Sequence, residues 1–384
     1  LASVAVGSTA LVARSIGARD HMLANRTVRQ SILMAGIIGV ASAALFYLGA
    51  PSAMRFMGAQ GDALIYGTTY LRIVSPSLIF STLLFAGMAC LRGAGDTRTP
   101  LKVMLLVNFI NIFVASSLIY GFFGLPQLGV AGSALGAATG RSLGGLVVLA
   151  MLVRGRSGLR LANLALRPDG SVIRRILRVG LPAGLESLLM RGGLLLFARV
   201  VATLGTAGYA AHTVALNIES ISYLPGFGFA VAATTVVGQG LGANDPKRAE
   251  KDGYMAYRWG GLLMGMMGIV FIVAARSLVS IFSNEPDVIA IGTGPLRMIG
   301  LAQPMLASMM IFAGALRGAG DTRWPMLING LSVWLVRLSL ATLFVTILGM
   351  GLWGAWLAMM IDITTRGVFM FLRFRNGGWK YARV

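Results

Sequence analysis

An all-α integral membrane protein, built as two six-helix bundles related by a pseudo-two-fold axis along the membrane normal, is the fold this sequence predicts. Three observations carry the prediction. Hydrophobic residues make up 56% of the chain and charged residues only 12%, and a mean hydropathy of +0.78 is incompatible with a surface solvated mainly by water. Two decapeptides, LRGAGDTRTP at Leu91 to Pro100 and LRGAGDTRWP at Leu316 to Pro325, lie 225 residues apart. The same offset relates VARSIGARD at Val12 to Asp20 with VGQGLGAND at Val237 to Asp245, and Leu71-Arg72 with Leu296-Arg297. Third, the basic residues concentrate in alternate loops between apolar runs, as membrane topology requires.

Apolar runs cut by charges and Gly/Pro clusters give the elements in order. A remnant runs to Ala13, too short to cross a bilayer core that takes about 20 helical residues. Spans follow at roughly 31 to 50, 63 to 90, 101 to 122 and 129 to 153. A basic linker, 154–178, separates a first bundle (1–153) from a second (179–384). The second half carries spans at approximately 179 to 204, 209 to 239, 257 to 280, 291 to 316, 325 to 347 and 352 to 373. That makes ten full helices and one partial one. By the 225 offset Leu1 corresponds to Gly226, so Val179 to Pro225 has no counterpart in the first half. The expectation is a chain truncated at its N-terminus, lacking the first helix and part of the second of a twelve-helix scheme. Six helices per half is an even number, which makes the duplication parallel and places the pseudo-two-fold along the membrane normal. A long internal repeat in such a chain suggests a transporter of two bundles.

Charge sets the orientation and excludes other classes. One set of loops, including the linker and the C-terminal segment, holds 24 of the 33 basic residues, so that side and the C-terminus are expected in the cytoplasm. The net charge of +20 is therefore a topological signal rather than a nucleic-acid one, since no recognition motif accompanies it. The single cysteine, Cys90, excludes an internal disulfide and a thiolate metal cluster, and it is expected to be buried. Neither glycine-rich motif has the strand and Gly-Lys-Ser/Thr context of a phosphate-binding loop. No nucleophile with its base and no pair of catalytic carboxylates can be placed at one depth, so the chain is not expected to be an enzyme and needs no cofactor.

The repeated loops are read first as turns. Gly93, Gly95, Gly318 and Gly320 permit a tight reversal, Asp96 and Asp321 can cap the following helix through backbone N–H groups, and Arg98 and Arg323 can meet lipid phosphates or carbonyls. A gate that makes and breaks contacts between bundles is the alternative reading of the same loops. The sixth helix carries Gly132, Gly136, Gly140 and Gly144 at four-residue spacing, a stripe for close helix contact.

The LRGAGDTR segments closing the fourth and tenth helices, the GQGLGANDP segment closing the eighth and the SYLPGFGFA within it resemble the multidrug and toxic compound extrusion family (MATE), of bacterial type, over essentially the whole chain. The resemblance implies a V-shaped pair of six-helix bundles, alternating access, and export of small organic compounds, cationic or amphiphilic, across the bacterial cytoplasmic membrane in exchange for Na+ or H+. Small-molecule substrate and membrane lipid are the implied partners, and the chain is expected to be a monomer. A lipid-linked saccharide flippase of related architecture is the alternative, favoured by a strongly cationic cavity to which Arg141, Arg191, Arg199 and Arg337 would contribute.

Ionisable groups inside the spans are the functional candidates, because each costs roughly 2.5 to 3.5 kcal/mol to insert unless paired or hydrated. Three acids qualify: Glu186, Glu219 and Asp362. Depth counting pairs Arg199 with Glu219 and Arg337 with Asp362, and Arg366 stands one turn from Asp362 on its own helix. Glu186 finds no partner at matching depth. Glu186 and Glu219 are therefore the leading coupling groups, with Asn217 and Gln239 as neutral oxygen donors, and Pro225 is expected to break the helix between Glu219 and Gln239.

Overall fold

The computed structural model describes residues 2–161 and 167–382, which are helical almost throughout, with no β-strand among the described residues. Residues 162–166 of the expected linker lie outside them. The chain divides into two compact units, Leu1–Gly180 and Leu181–Val384. The boundary falls inside a helix, not in a linker: residues 170–178 are already helical, and the backbone at Ile176 rests against Gly7.

The first unit contains α1 (Ala2–Gly17), α2 (His21–Phe56), α3 (Gly61–Val74), α4 (Ser77–Gly93), α5 (Arg98–Tyr120), α6 (Val130–Arg154) and the opening turns of α7 (Gly170–Ala202). Asp20 starts α2 by accepting the Leu23 N–H at 2.8 Å, a side-chain cap that satisfies one of the helix's orphan donors. The expected span 63 to 90 is bent by 53° between α3 and α4. Pro76 at that break has no N–H to give to the helix ladder, and the Ser75 hydroxyl donates to the Leu71 carbonyl. The glycine stripe of α6 does what its spacing predicts. A Cβ on Gly136 would stand 2.6 Å from Ala115 Cβ of α5, and one on Gly140 2.8 Å from the Val107 carbonyl oxygen, so the two helices can touch backbone to backbone only with hydrogen at those positions. Val12, Val28, Leu84, Cys90, Val148 and Leu152 fill the core of this unit.

The second unit contains the rest of α7, then α8 (Gly205–Gly242), α9 (Pro246–Val273), α10 (Ala275–Phe282), α11 (Pro286–Ala319), α12 (Arg323–Ile347) and α13 (Gly351–Arg375). Alanine and glycine along α11 let α8, α9 and α13 surround it, which makes it the most enclosed of the long apolar helices. Pro225 does not break α8. The helix runs on through it, with Ser222 Oγ donating to the Glu219 carbonyl at 2.7 Å. In α12 the ladder widens to π-helical turns over Ser332–Leu338 and Leu343–Ile347, a departure that inserts an extra residue per turn and is frequent at functional sites.

Among the described residues eight helices are long and apolar enough to cross a membrane, or nine if the bent α3/α4 pair is one span. The tenth expected span is α7. It is helical over 33 residues, but Arg174, Arg175, Arg178, Glu186, Arg191 and Arg199 interrupt its apolar character.

Internal repetition persists in the bonding. Thr9 Oγ1 donates to the Ala89 carbonyl at 3.0 Å, and Thr234 Oγ1 donates to the Gly314 carbonyl at 2.8 Å, both residues of each pair shifted by 225. Asp245 caps α9 on the Arg248 N–H at 2.9 Å, as Asp20 caps α2. The left-handed residues also correspond: Arg19 (φ 56) with Asn244 (φ 55), and Gly95 (φ 89) with Gly320 (φ 88).

Candidate functional site

All three intramembrane acids belong to the second unit, and each has a different environment. Asp362, on α13, is fully buried and holds three donors: Ser332 Oγ at 2.6 Å, Arg337 Nε at 2.8 Å and the Arg366 guanidinium one turn along its own helix. Ser332 and Arg337 both come from the first π-helical stretch of α12, so the widened turns set the face that meets Asp362. The Arg337 guanidinium also lies 5.5 Å from the centre of the Phe197 ring, a cation–π contact. Both pairings expected for Asp362 are thus present.

Glu219, on α8, is only 1% exposed. Its side-chain partner is the Tyr223 hydroxyl at 3.5 Å, and no cation stands within ion-pair distance of it among the described residues. The expected Arg199–Glu219 pair does not form: Arg199 lies on an exposed face of α7. Matching depth was insufficient because depth leaves the rotation of each helix about its axis undetermined. Asn217, two residues from Glu219, projects from the exposed face, since two residues turn a helix by more than half a circle. Gln239 is half-buried and stands 20 residues from Glu219 on the same continuous helix, about 30 Å along its axis. Neither can complete an oxygen shell at Glu219.

Glu186 reverses its expectation. It is 5% exposed, and its Oε1 accepts from Arg317 Nη2 at 2.6 Å and from Asn329 Nδ2 at 2.6 Å. Arg317 belongs to the LRGAGDTR repeat at the end of α11, and Asn329 lies on α12, so one carboxylate ties three helices. Depth counting missed both because it assigned Arg317 to a loop, and a lone asparagine carries no signal of its own.

The two repeated loops have diverged in their bonding. In the first unit Asp96 accepts from the Thr99 N–H at 2.9 Å, from the Thr99 hydroxyl and from Ser157 Oγ at 2.6 Å. Burial pushes this carboxyl up, but the Ser157 and Thr99 hydrogen bonds, joined by the nearby Arg156 charge, outweigh it and hold it down at about 2. Trp324 replaces Thr99 in the second unit. There Asp321 accepts instead from Arg373 Nε at 2.9 Å and Nη2 at 2.7 Å, while that guanidinium lies 4.9 Å from the centre of the Trp324 ring. The cap expected for Asp321 is replaced by a tie to the end of α13. Arg98 and Arg323 are exposed.

His212 is buried and accepts a hydrogen bond from Trp356 Nε1 at its Nδ1, 3.1 Å. Among the described residues no group of three or more His, Cys, Asp or Glu could hold a metal ion. An apolar groove of about 640 Å³ in the first unit is lined by Ile32, Leu33, Ile37, Leu83 and Leu149 among others, with no titratable side chain.

A membrane-spanning all-helical chain whose buried charges sit inside its helices, rather than around a catalytic constellation, has the character of a secondary transporter. The MatE family model matches residues 1–116 and 182–343. A probable multidrug resistance protein NorM of Thermotoga maritima is 34% identical over 386 residues, covering all of this chain and 82% of its own length. An uncharacterized transporter of Bacillus subtilis, YisQ, is 25% identical, covering 98% and 83% respectively. Among solved structures, an outward-facing multidrug resistance MATE family transporter of the MOP superfamily superposes with a TM-score of 0.90 at 24% identity, over 98% of this chain and 83% of that one. The chain belongs to the MatE family of membrane transporters, and it is a multi-pass membrane protein, not an enzyme.

Proposed function

We propose that this chain is a multidrug exporter of the bacterial cytoplasmic membrane, a secondary antiporter that moves organic compounds outward by alternating access in exchange for Na+ or H+. The observation that carries the reading is Glu219: a carboxylate buried in mid-helix with a single weak hydroxyl contact and no ion-pair partner of its own among the described residues, while Arg337 and Arg366 nearby are engaged by Asp362. A buried carboxylate without a fixed cation exchanges a proton or a small cation, whereas a doubly paired one is structural. The named relatives support the substrate class, and cationic or amphiphilic compounds suit an acidic exchange group. The flippase alternative needs a cationic cavity, yet in the second unit Arg337 is engaged by Asp362 and Arg191 and Arg199 lie on exposed helix faces.

The test is efflux of a fluorescent organic cation from vesicles carrying the protein, with Na+ and proton gradients imposed separately. One gradient should drive export, and Glu219→Gln should abolish the gradient-driven part while leaving downhill leakage. Export driven by neither gradient, or unaffected by Glu219→Gln, would refute the assignment.

A further inference from the structure

We propose that Glu186 and Asn329 form a binding site for a monovalent cation, Na+, for which Arg317 is a tethered competitor. Glu186 Oε1 takes two hydrogen bonds, from Arg317 and Asn329. Three further polar atoms, Glu186 Oε2, Asn329 Oδ1 and Arg317 Nε, are buried without a hydrogen-bond partner. A buried polar group left unsatisfied is costly, so several within one cluster point to a ligand. Two of the three are oxygens, one carboxylate and one amide, on side chains that a hydrogen bond already joins. Oxygens of that type suit hard cations, and a single carboxylate balances one positive charge, not two.

Arg317 supplies that positive charge from within the chain, and its partial exposure gives it a route to water. Its side chain is 25% exposed against 7% for Glu186, while Arg337 and Arg366, which hold Asp362, are 4% and 2% exposed. A guanidinium with access to water can be rehydrated when displaced, whereas the two on Asp362 would be stranded as buried charges. Of these carboxylate clusters, only that of Glu186 is built to open. A cation on Glu186 Oε2 and Asn329 Oδ1 would free Arg317, and with it the LRGAGDTR turn, from α7. Leu189 and Gly192 of α7 pack against Trp334 of α12, whose Nε1 donates to the Leu189 carbonyl at 3.0 Å, so the helices stay in contact when the ion pair opens. The site is peculiar to the second copy: by the 225 offset Arg317 corresponds to Arg92, but Asn329 corresponds to Met104, which has no amide oxygen.

Treating this ion as the coupling ion rests on the antiporter reading, but its binding is measured without transport. The purified chain in detergent is unfolded thermally across a titration of NaCl against choline chloride at constant ionic strength, since a ligand that binds only the folded state raises the midpoint in proportion to its occupancy. Na+ should raise the midpoint of the wild type. Arg317→Gln, which removes the competitor, should reach half-saturation at a Na+ concentration lower by a factor on the order of ten, although the variant starts from a lower midpoint. A merely structural ion pair would give the lower midpoint without the tighter Na+ response. Glu186→Gln and Asn329→Leu should lose the response, and if Glu186→Gln fails to fold, Asn329→Leu decides. A Na+ response absent from both wild type and Arg317→Gln, or undiminished in Asn329→Leu, overturns the site. A Na+ response that follows this pattern in a protein showing no gradient-driven efflux supports the site and overturns the antiporter reading.

Discussion

Asp362 shows how much one buried residue can decide. Two guanidinium groups and a hydroxyl converge on it from α12 and α13, and both arginines are nearly sealed from water. Removing its charge strands two buried cations, a change that costs about 3–5 kcal/mol where a buried pair is broken from one side. Asp362→Asn is therefore expected to lower the thermal midpoint of the detergent-solubilised protein strongly. Asp321→Asn, whose partner Arg373 is 20% exposed, should lower it far less, because Arg373 can turn to water. Equal midpoints for the two variants would contradict this. The contrast also explains why Asp362, which the sequence offers alongside Glu186 and Glu219, is the least suited to exchange. Its charge is committed to holding α12 and α13 in register, while among the described residues Glu219 is held by a tyrosine hydroxyl and no ion pair.

At the scale of elements, small residues and proline determine how the helices meet. The glycines of α6 allow α5 to approach until backbone touches backbone, and because lipid provides no hydrophobic drive between helices, that packing is the main attraction available. Gly136→Leu should separate α5 from α6 and destabilise the first unit by a few kcal/mol, the range of overpacking penalties. Gly36→Ala on α2, where an added Cβ meets nothing within 4 Å, should be neutral or stabilising by up to about 1 kcal/mol through helix propensity. Thermal unfolding of both variants distinguishes a packing stripe from a mere compositional bias. Proline acts differently at two sites: Pro76 coincides with a 53° bend, whereas Pro225 lies inside a helix that continues. The missing N–H is common to both, so the outcome depends on surrounding packing, which sequence does not display.

For the whole molecule, the asymmetric distribution of charge makes a definite statement about topology. The first unit holds 17 of the 33 basic residues but only four of the 13 acidic ones, and its excess lies mainly in the loops expected to face the cytoplasm. Because Cys90 is buried, single cysteines introduced at exposed sites can be labelled against a quiet background. Ser157→Cys and Asn376→Cys are expected to react with a membrane-impermeant maleimide only in inside-out vesicles, and Asn284→Cys only in right-side-out ones. Labelling of all three from one side would invert or abolish the proposed topology.

Composition, the 225-residue offset and the spacing of charges were enough to establish an all-helical membrane chain, its duplication, its loop motifs and the three acids worth attention. These signals are carried by local patterns, and a bilayer makes them legible because it forces each span to be long, apolar and internally hydrogen-bonded. Depth along a helix is also readable and matches Arg337 to Asp362, while one-turn spacing on a single helix matches Arg366 to it. Rotation about the helix axis is not readable. A turn of 100° per residue means that two groups at one depth can face opposite ways, so Arg199 was wrongly paired with Glu219, and Glu186 was left without the Arg317 and Asn329 that hold it. The π-helical widening of α12 shifts the facing of Ser332 and Arg337 further from any regular count. Which buried acid is locked, which is weakly held and which is held by an arginine free to leave was decided by tertiary packing alone, because that packing fixes each helix's rotation and each side chain's access to water.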